Sequence, residues 1–414
     1  MDNIYFIGRR TSDIAASFDG NKLDPFFKGS VTAYGGNTQG NISYNATSGL
    51  QIVNSVYIDR NIALYNKFFG DRITEIVKND KHAKFIPYSK FWADLVPENL
   101  KDRIICYNNG GPIDFLESKF NFKNFIKNKI PQPAFEIISG KKILDLIAKG
   151  EIPSTTNPNG KRDVVVQVEF GAGGNGTYFA TKKYPLDPSV INPKDKYVVS
   201  EFTQNKCSLG CSFIITDNGV ATYPCGIQIM NGPQFIGSDF HAFTLLDEDI
   251  KAECRQVAVD FGNLLRQAYP DLRGFFGLDM IITSEEKPRV FAIETNPRFT
   301  GTTSLLNILS HRAGIGSVYE HTHKAFFCGK DKNLHVTLQE LLDRITPNAR
   351  KRYAAPGEEV EGVYKEGLDK TAFQEDGFYT YAVFEEIKQY NIHDDRQEYK
   401  AWLGKKQKGK NPDA

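Results

Sequence analysis

Two apolar segments joined by a charged turn constrain this 414-residue chain more than any other feature. The first reads Gly274-Phe275-Phe276-Gly277-Leu278-Asp279-Met280-Ile281-Ile282, and the second Val290-Phe291-Ala292-Ile293-Glu294-Thr295-Asn296-Pro297-Arg298. They are expected to pair as a β-hairpin. A turn centred between Glu286 and Lys287 puts Asp279 directly opposite Glu294. The same register pairs Met280 with Ile293 and Ile282 with Phe291 on the other, wholly apolar face. Asn296 lies two residues beyond Glu294, so the three polar side chains point the same way. Carboxylates opposed across two strands repel, and such a pair on an apolar hairpin is costly unless a cation bridges it. Two carboxylates and an amide oxygen are hard ligands suited to Mg2+, with Mn2+ as a substitute. The plainer alternative is a lone surface acid and a capping residue. It is weaker, because the register is argued independently of the residue types that fill it.

A second feature is Gly171-Ala172-Gly173-Gly174-Asn175-Gly176, which fits G-x-G-x-x-G. A dinucleotide-binding fingerprint needs a strand before the loop and a helix after it. Here both flanks, around Val164-Val165-Val166-Gln167-Val168 and Thr177-Tyr178-Phe179-Ala180-Thr181, are rich in β-branched and aromatic residues and read as strands. Glycines between strands let backbone N–H groups turn toward a phosphate chain. An ordinary long hairpin turn is the competing reading. An oxidoreductase is disfavoured by the missing helix, and a protein kinase by the absence of its later catalytic motifs.

Length calls for two or three domains. Lys plus Arg (51) nearly cancel Asp plus Glu (50), which leaves no electrostatic footprint for nucleic acid or an anionic membrane. The apolar run near Met1 is short for a signal peptide, and no later run is long enough to span a bilayer. The six cysteines form no CxxC pair, as expected of reduced thiols in a cytoplasmic protein. Residues 1–115 read as an α/β unit with strands at 4–7 and 103–107, a polar loop region at 28–49 and a helix within 57–78. Helical spacing follows Ser118-Lys119, strands are expected at 163–170, from Tyr178, at 197–202, 212–216 and 220–224, and a helix at 253–269. The basic end, Lys405-Lys406-Gln407-Lys408-Gly409-Lys410, reads as a disordered tail. His241 sits in a polar loop, either solvent-exposed or touching substrate. His321 and His323, two apart, would not share a helix face and are not read as metal ligands.

These residues resemble the ATP-grasp superfamily. Its metal motif, an acid on one strand and Glu-x-Asn on the next, is matched by Asp279, Glu294 and Asn296, with Arg298 following. Its glycine loop between two lid strands is matched by Gly171, Gly173, Gly174 and Gly176, and its adenine-side strand end by Val198-Val199-Ser200-Glu201-Phe202. Lys119 fits the place of a phosphate-contacting lysine. A second lysine, usual in the strand before the loop, is replaced by Gln167, and no ribose-binding acid is evident in 203–210. The resemblance implies an α/β (α+β) chain: an N-terminal Rossmann-like pre-ATP-grasp domain (1–115), a glycine-loop lid (116–200), a metal-binding catalytic subdomain (201–330) and a C-terminal extension (331–414). It also implies ATP and Mg2+ as cofactors. The expected activity is ligation of a small-molecule carboxylate, activated as an acylphosphate, to an amine, with Arg298 holding the carboxylate or the developing charge. Peptide or natural-product biosynthesis is the setting the resemblance suggests, and a carrier protein for the acyl group stays open. A phosphotransferase and a non-catalytic ATP-binding protein are the alternatives, the latter because of Gln167. No nucleic-acid or membrane partner is expected.

Overall fold

The computed structural model describes residues 2–19, 22–34, 42–45, 62–108, 110–171, 173–329, 331–353, 364–365, 381–389 and 391–408. The chain opens with a parallel sheet of β1 (Asn3–Arg10), β2 (Gly29–Tyr34), β3 (Ile42–Asn45) and β4 (Ala83–Pro87), in the order β3-β2-β1-β4. β1 buries Ile4, Tyr5, Phe6 and Ile7 in succession, as a strand covered on both faces must. The helix Ile62–Asn79 buries Phe69, Ile73, Ile76 and Val77 at helical spacing. Residues 57–61 of the helix expected there lie outside the described residues.

Two expectations for this unit need correction. The polar region 28–49 contains β2 and β3, while 35–41 and 46–49 lie outside the described residues. Ser30, Val31 and Thr32 are fully buried beside Phe6, Ile7 and Gly8 of β1. A partner strand satisfies their backbone, so polar side chains do not exclude a strand. Around 103–107 there is no strand. A 3-10 helix, Glu98–Arg103, ends there, and Ile104 makes a single bridge to Phe85.

The next unit is an antiparallel sheet of β5 (Phe135–Ser139), β6 (Val164–Gln167), β7 (Thr177–Ala180) and β8 (Lys196–Glu201), in the order β5-β8-β6-β7. The helix Gly140–Ala148 packs Ile143 and Ile147 into one core with Val164, Val166 and Val199. β6 is shorter than the expected strand and stops at Gln167, where the glycine loop begins to turn.

The chain changes sheets between Glu201 and Asn205. β9 (Asn205–Ile215), β10 (Val220–Thr222), β11 (Gly226–Asn231), β12 (Gln234–Asp239), β13 (Gly274–Thr283), β14 (Val290–Asn296), β15 (Ala349–Tyr353), β16 (Tyr364–Lys365) and β17 (Tyr381–Glu386) form one sheet. Its order is β14-β13-β9-β11-β12-β15-β17-β16, with β10 beside β9. The helix Glu248–Ala268 covers one face, burying Cys254, Val257, Ala258, Phe261 and Leu265 against Leu209, Phe213, Phe276, Leu278 and Met280. The opposite face buries Ile214, Ala221, Tyr223 and Phe275 in the core shared with the N-terminal unit. The C-terminal residues continue this sheet through β15–β17, and the helix Ile392–Lys408 runs through Lys405, Lys406 and Lys408 where a disordered tail was expected. Residues 409–414 lie outside the described residues. The N-terminal unit is joined to the sheet through Tyr319, which packs on Phe6 and Phe27 and donates its hydroxyl hydrogen to Asp13 O at 2.8 Å. Among the described residues no helix is long and apolar enough to cross a membrane.

His321, on the helix Val318–Phe327, is a core histidine. Its Nδ1 lies 2.9 Å from the Tyr223 hydroxyl and its Nε2 lies 2.9 Å from Ile315 O. The carbonyl can only accept, so Nε2 carries the hydrogen and the hydroxyl donates to Nδ1. Burial pushes the imidazole down from 6.5 to about 4. A depressed value means that the neutral form is favoured in the folded state. Its stabilisation is therefore complete above pH 6.5 and is lost as the pH falls toward 4. Thermal unfolding of the wild type should lose about 3 kcal/mol over that window from this group. His321→Gln should flatten that part of the pH profile, and an unchanged profile would refute the assignment.

Candidate active site

The acidic hairpin forms with Asp279 of β13 directly paired with Glu294 of β14. Beyond that pair the register departs from the expected one. It shifts between Asp279 and Met280, so Met280 faces Ala292, Ile281 faces Phe291 and Ile282 faces Val290, leaving Ile293 as the extra residue of a β-bulge. Met280, Ile282, Val290 and Ala292 still point into the core. Asp279, Glu294 and Asn296 lie on the opposite face, where Asn296 Nδ2 donates to Asp279 Oδ2 at 3.1 Å.

Asp279 is crowded from a second side. Its partner on β9 is Gly210, where a Cβ would lie 3.4 Å from Asp279 Oδ1. The open space admits Gln228 of β11, whose Nε2 donates to Asp279 Oδ1 at 3.0 Å. Burial, then the charge of Glu294, pushes the Asp279 carboxyl up from 3.8 to about 7, against the hydrogen bond from Asn296 and the charges of Arg298 and Lys119.

Lys119 opens the helix Lys119–Ile126, capped by Ser118 Oγ, which accepts from Asn121 N at 3.3 Å. Its ammonium donates to Glu294 Oε1 at 3.1 Å and to Gly171 O at 2.9 Å. This residue therefore ties the acidic hairpin to the glycine loop. One helical turn later stands Lys123, only 1% exposed. Burial pushes its ammonium down to about 8, against the opposing pull of Glu294.

The glycine loop lies against the turn between β11 and β12. Gly173, Gly174 and Gly176 take φ of 64°, 93° and 72°; Ala172 lies outside the described residues. A Cβ at Gly174 would lie 2.2 Å from Pro233 O, whereas one at Gly173 would meet nothing within 4 Å. Phe235 N donates to Gly173 O at 3.4 Å. Gln167 lies on the face of β6 opposite the buried Val164 and Val166, and its Nε2 donates to Thr177 Oγ1 at 3.3 Å. At the end of β8, Glu201 N donates to Ala134 O at 2.8 Å and Phe202 N to Asp163 O at 3.1 Å. The Phe202 ring packs edge-on to Phe179.

A glycine-loop lid over a sheet that bears paired acids is the arrangement an ATP-grasp domain would have, and residues 116–302 match the model of that domain. Residues 116–302 are an ATP-grasp domain. Solved ATP-grasp structures share the fold across nearly the whole chain. The L-amino acid ligase from Bacillus licheniformis is 11% identical, with 97% of each chain covered and a TM-score of 0.56. N5-carboxyaminoimidazole ribonucleotide synthetase from Thermotoga maritima is 14% identical, with 98% of each covered and a TM-score of 0.53. Biotin carboxylase from Campylobacter jejuni, solved as a β,γ-ATP complex, is 13% identical, with 93% of this chain and 88% of that one covered and a TM-score of 0.59. No curated protein matches the sequence significantly.

Arg298 follows the ATP-grasp hairpin and makes one hydrogen bond, Nη1 to Phe299 O at 3.2 Å, and no ion pair among the described residues. Its charge acts on Asp279, on Glu117 and on Tyr88, which follows β4. His241 is not on an exposed loop. It is 6% exposed on the helix Phe240–Thr244, and its Nε2 lies 3.1 Å from Asp395 Oδ2 on the C-terminal helix. Sequence reasoning missed Gln228, Lys123 and Glu117. A glutamine in the apolar run Gly226-Ile227-Gln228-Ile229, and a second lysine four residues after Lys119, were the available signals.

Proposed function

We propose that the protein is an ATP-dependent ligase joining a small-molecule carboxylate to an amine, through an acylphosphate and with ADP and phosphate as products. The carrying observation is the pair Asp279 and Glu294, opposed on one face under a glycine loop. Half-buried, directly paired carboxylates, one of them pushed up to about 7, form a set of hard oxygen donors whose repulsion a divalent cation relieves. With its Nδ2 on Asp279, Asn296 keeps its Oδ1 for the same purpose. Asp279, Glu294 and Asn296 would therefore hold Mg2+, which when bound neutralises phosphate charge and acts as a Lewis acid.

The chain's own residues supply the rest. Backbone N–H groups of the loop Gly171, Gly173, Gly174 and Gly176 cradle the phosphates, and Lys119 is in reach of both the loop and the acids. Glu201 and Phe202 border the adenine. Gln167 contributes amide donors where a charge is usual. Arg298, free of carboxylate partners among the described residues, holds the substrate carboxylate in its planar fork. A carboxylate oxygen attacks the γ-phosphorus and ADP leaves. The amine then attacks the acyl carbon, phosphate departs, and the amine loses a proton. The ligase from Bacillus licheniformis, whose name specifies L-amino acids, supports amino acids as the first substrates to try. Such a reaction draws on cytoplasmic ATP.

The test incubates purified protein with ATP, Mg2+ and pools of amino acids and small acids, with and without acyl carrier proteins, under mass detection. A condensed product lighter than its two substrates by one water, with one ADP and one phosphate, is expected. AMP and pyrophosphate would overturn the acylphosphate route. A phosphorylated product with ADP would mark a phosphotransferase, and bound ATP without turnover in any pool would mark a binding protein.

A further inference from the structure

Lys123 sits where a simple fold would place an apolar residue. It shares its helix with Phe122 and Ile126, both buried in the core. Its side chain is 1% exposed, and among the described residues its ammonium makes no hydrogen bond or ion pair. Burying a charge without a bonded partner is expensive, so its field should matter to something nearby. The charges that act on it are those of Glu294 and Lys119. Lys119 holds Glu294 directly at 3.1 Å and Gly171 O at 2.9 Å. Lys123, four residues later, stands one turn further along the same helix face. Against the carboxylates of Asp279 and Glu294 stand the charges of Lys119, Lys123 and Arg298, so the cluster carries no net negative charge.

We propose that Lys123 is a positioning residue: its fixed charge behind Glu294 makes the acidic pair a poor site for a bare divalent cation and a good one for a cation that arrives with polyphosphate. This rests on the metal reading above. Two directly paired carboxylates would otherwise hold a divalent cation by themselves. With Lys119 and Lys123 in place the pair has no net attraction to offer. A nucleotide's phosphates restore the attraction by drawing Lys119 away from Glu294 and adding negative charge of their own. Metal and nucleotide would then bind with positive coupling, each improving the site for the other.

The test uses the full chain and Mn2+, followed by the electron paramagnetic resonance signal of the free ion. Wild type should hold Mn2+ weakly alone and tightly with ADP. Lys123→Met, similar in length and uncharged, should tighten Mn2+ binding in the absence of nucleotide by roughly tenfold and shrink the gain that ADP brings. Lys123→Arg should behave as wild type. A merely structural lysine gives no reason for the metal to bind more tightly when it is removed. Unchanged or weaker Mn2+ binding in Lys123→Met would overturn the proposal. Wild type that binds no Mn2+ even with ADP, or Glu294→Gln that binds it as wild type does, would instead overturn the metal reading itself and the proposal with it.

Discussion

Glu294→Gln is expected to lower ligase turnover by roughly a thousandfold or more while leaving the fold intact. The substitution keeps the shape and removes one charge. The amide oxygen can still accept from Lys119, which lies 3.1 Å from Oε1 in the native site. Lys119 is 4% and Glu294 27% exposed at the side chain, and because the amide leaves the buried ammonium an acceptor, losing the charge costs the fold little. The Asp279 carboxyl is relieved of its closest like charge. A large loss of turnover with a nearly constant melting temperature therefore isolates the metal role. A variant that turns over like wild type in limiting Mg2+ removes Glu294 from the metal site.

How far the sequence reaches is clearest in this same hairpin. Opposition of Asp279 and Glu294 follows from period-2 alternation and one assumed turn centre, and that pairing is the observed one. The bulge at Ile293 does not follow. One inserted residue leaves the apolar pattern almost unchanged, because Ala292 and Val290 serve the core as well as Ile293 and Phe291 would. Gln228 reaches Asp279 only because β9 lies between β11 and β13 and carries glycine at position 210. Strand order across a sheet is a tertiary fact that local patterns do not encode. The strands β2 and β3 were hidden for a related reason. Ser30 and Thr32 look like loop residues until a neighbouring strand supplies their hydrogen bonds. Lys123 was hidden differently: lysine is read as exposed by default, and only packing shows that this one is not.

Gly174→Val is expected to raise the KM for ATP by roughly fiftyfold, whereas Gly173→Ala should change it only several-fold. The sequence treats the two glycines alike, but the structure separates them. Both take positive φ, 64° at Gly173 and 93° at Gly174, so any side chain at either is strained. At Gly173 the strain is the whole cost, because an added Cβ meets nothing within 4 Å. At Gly174 the Cβ would lie 2.2 Å from Pro233 O, and valine's branches would crowd the backbone of the β11–β12 turn further. Backbone cannot rotate away as a side chain can, so the loop must lift off that turn. Lifting it withdraws the donors of the loop from the phosphates and parts the Phe235 N to Gly173 O contact. The collision exists only while the loop lies down, so the ligand-free melting temperature should fall by no more than a few degrees. Steady-state kinetics of the two variants, with thermal melts beside them, decide the matter. Equal KM increases would mean that φ strain, and not closure onto Pro233, sets the effect. A sharp drop in melting temperature for Gly174→Val with an unchanged KM would make the loop a structural turn and remove it from the nucleotide site.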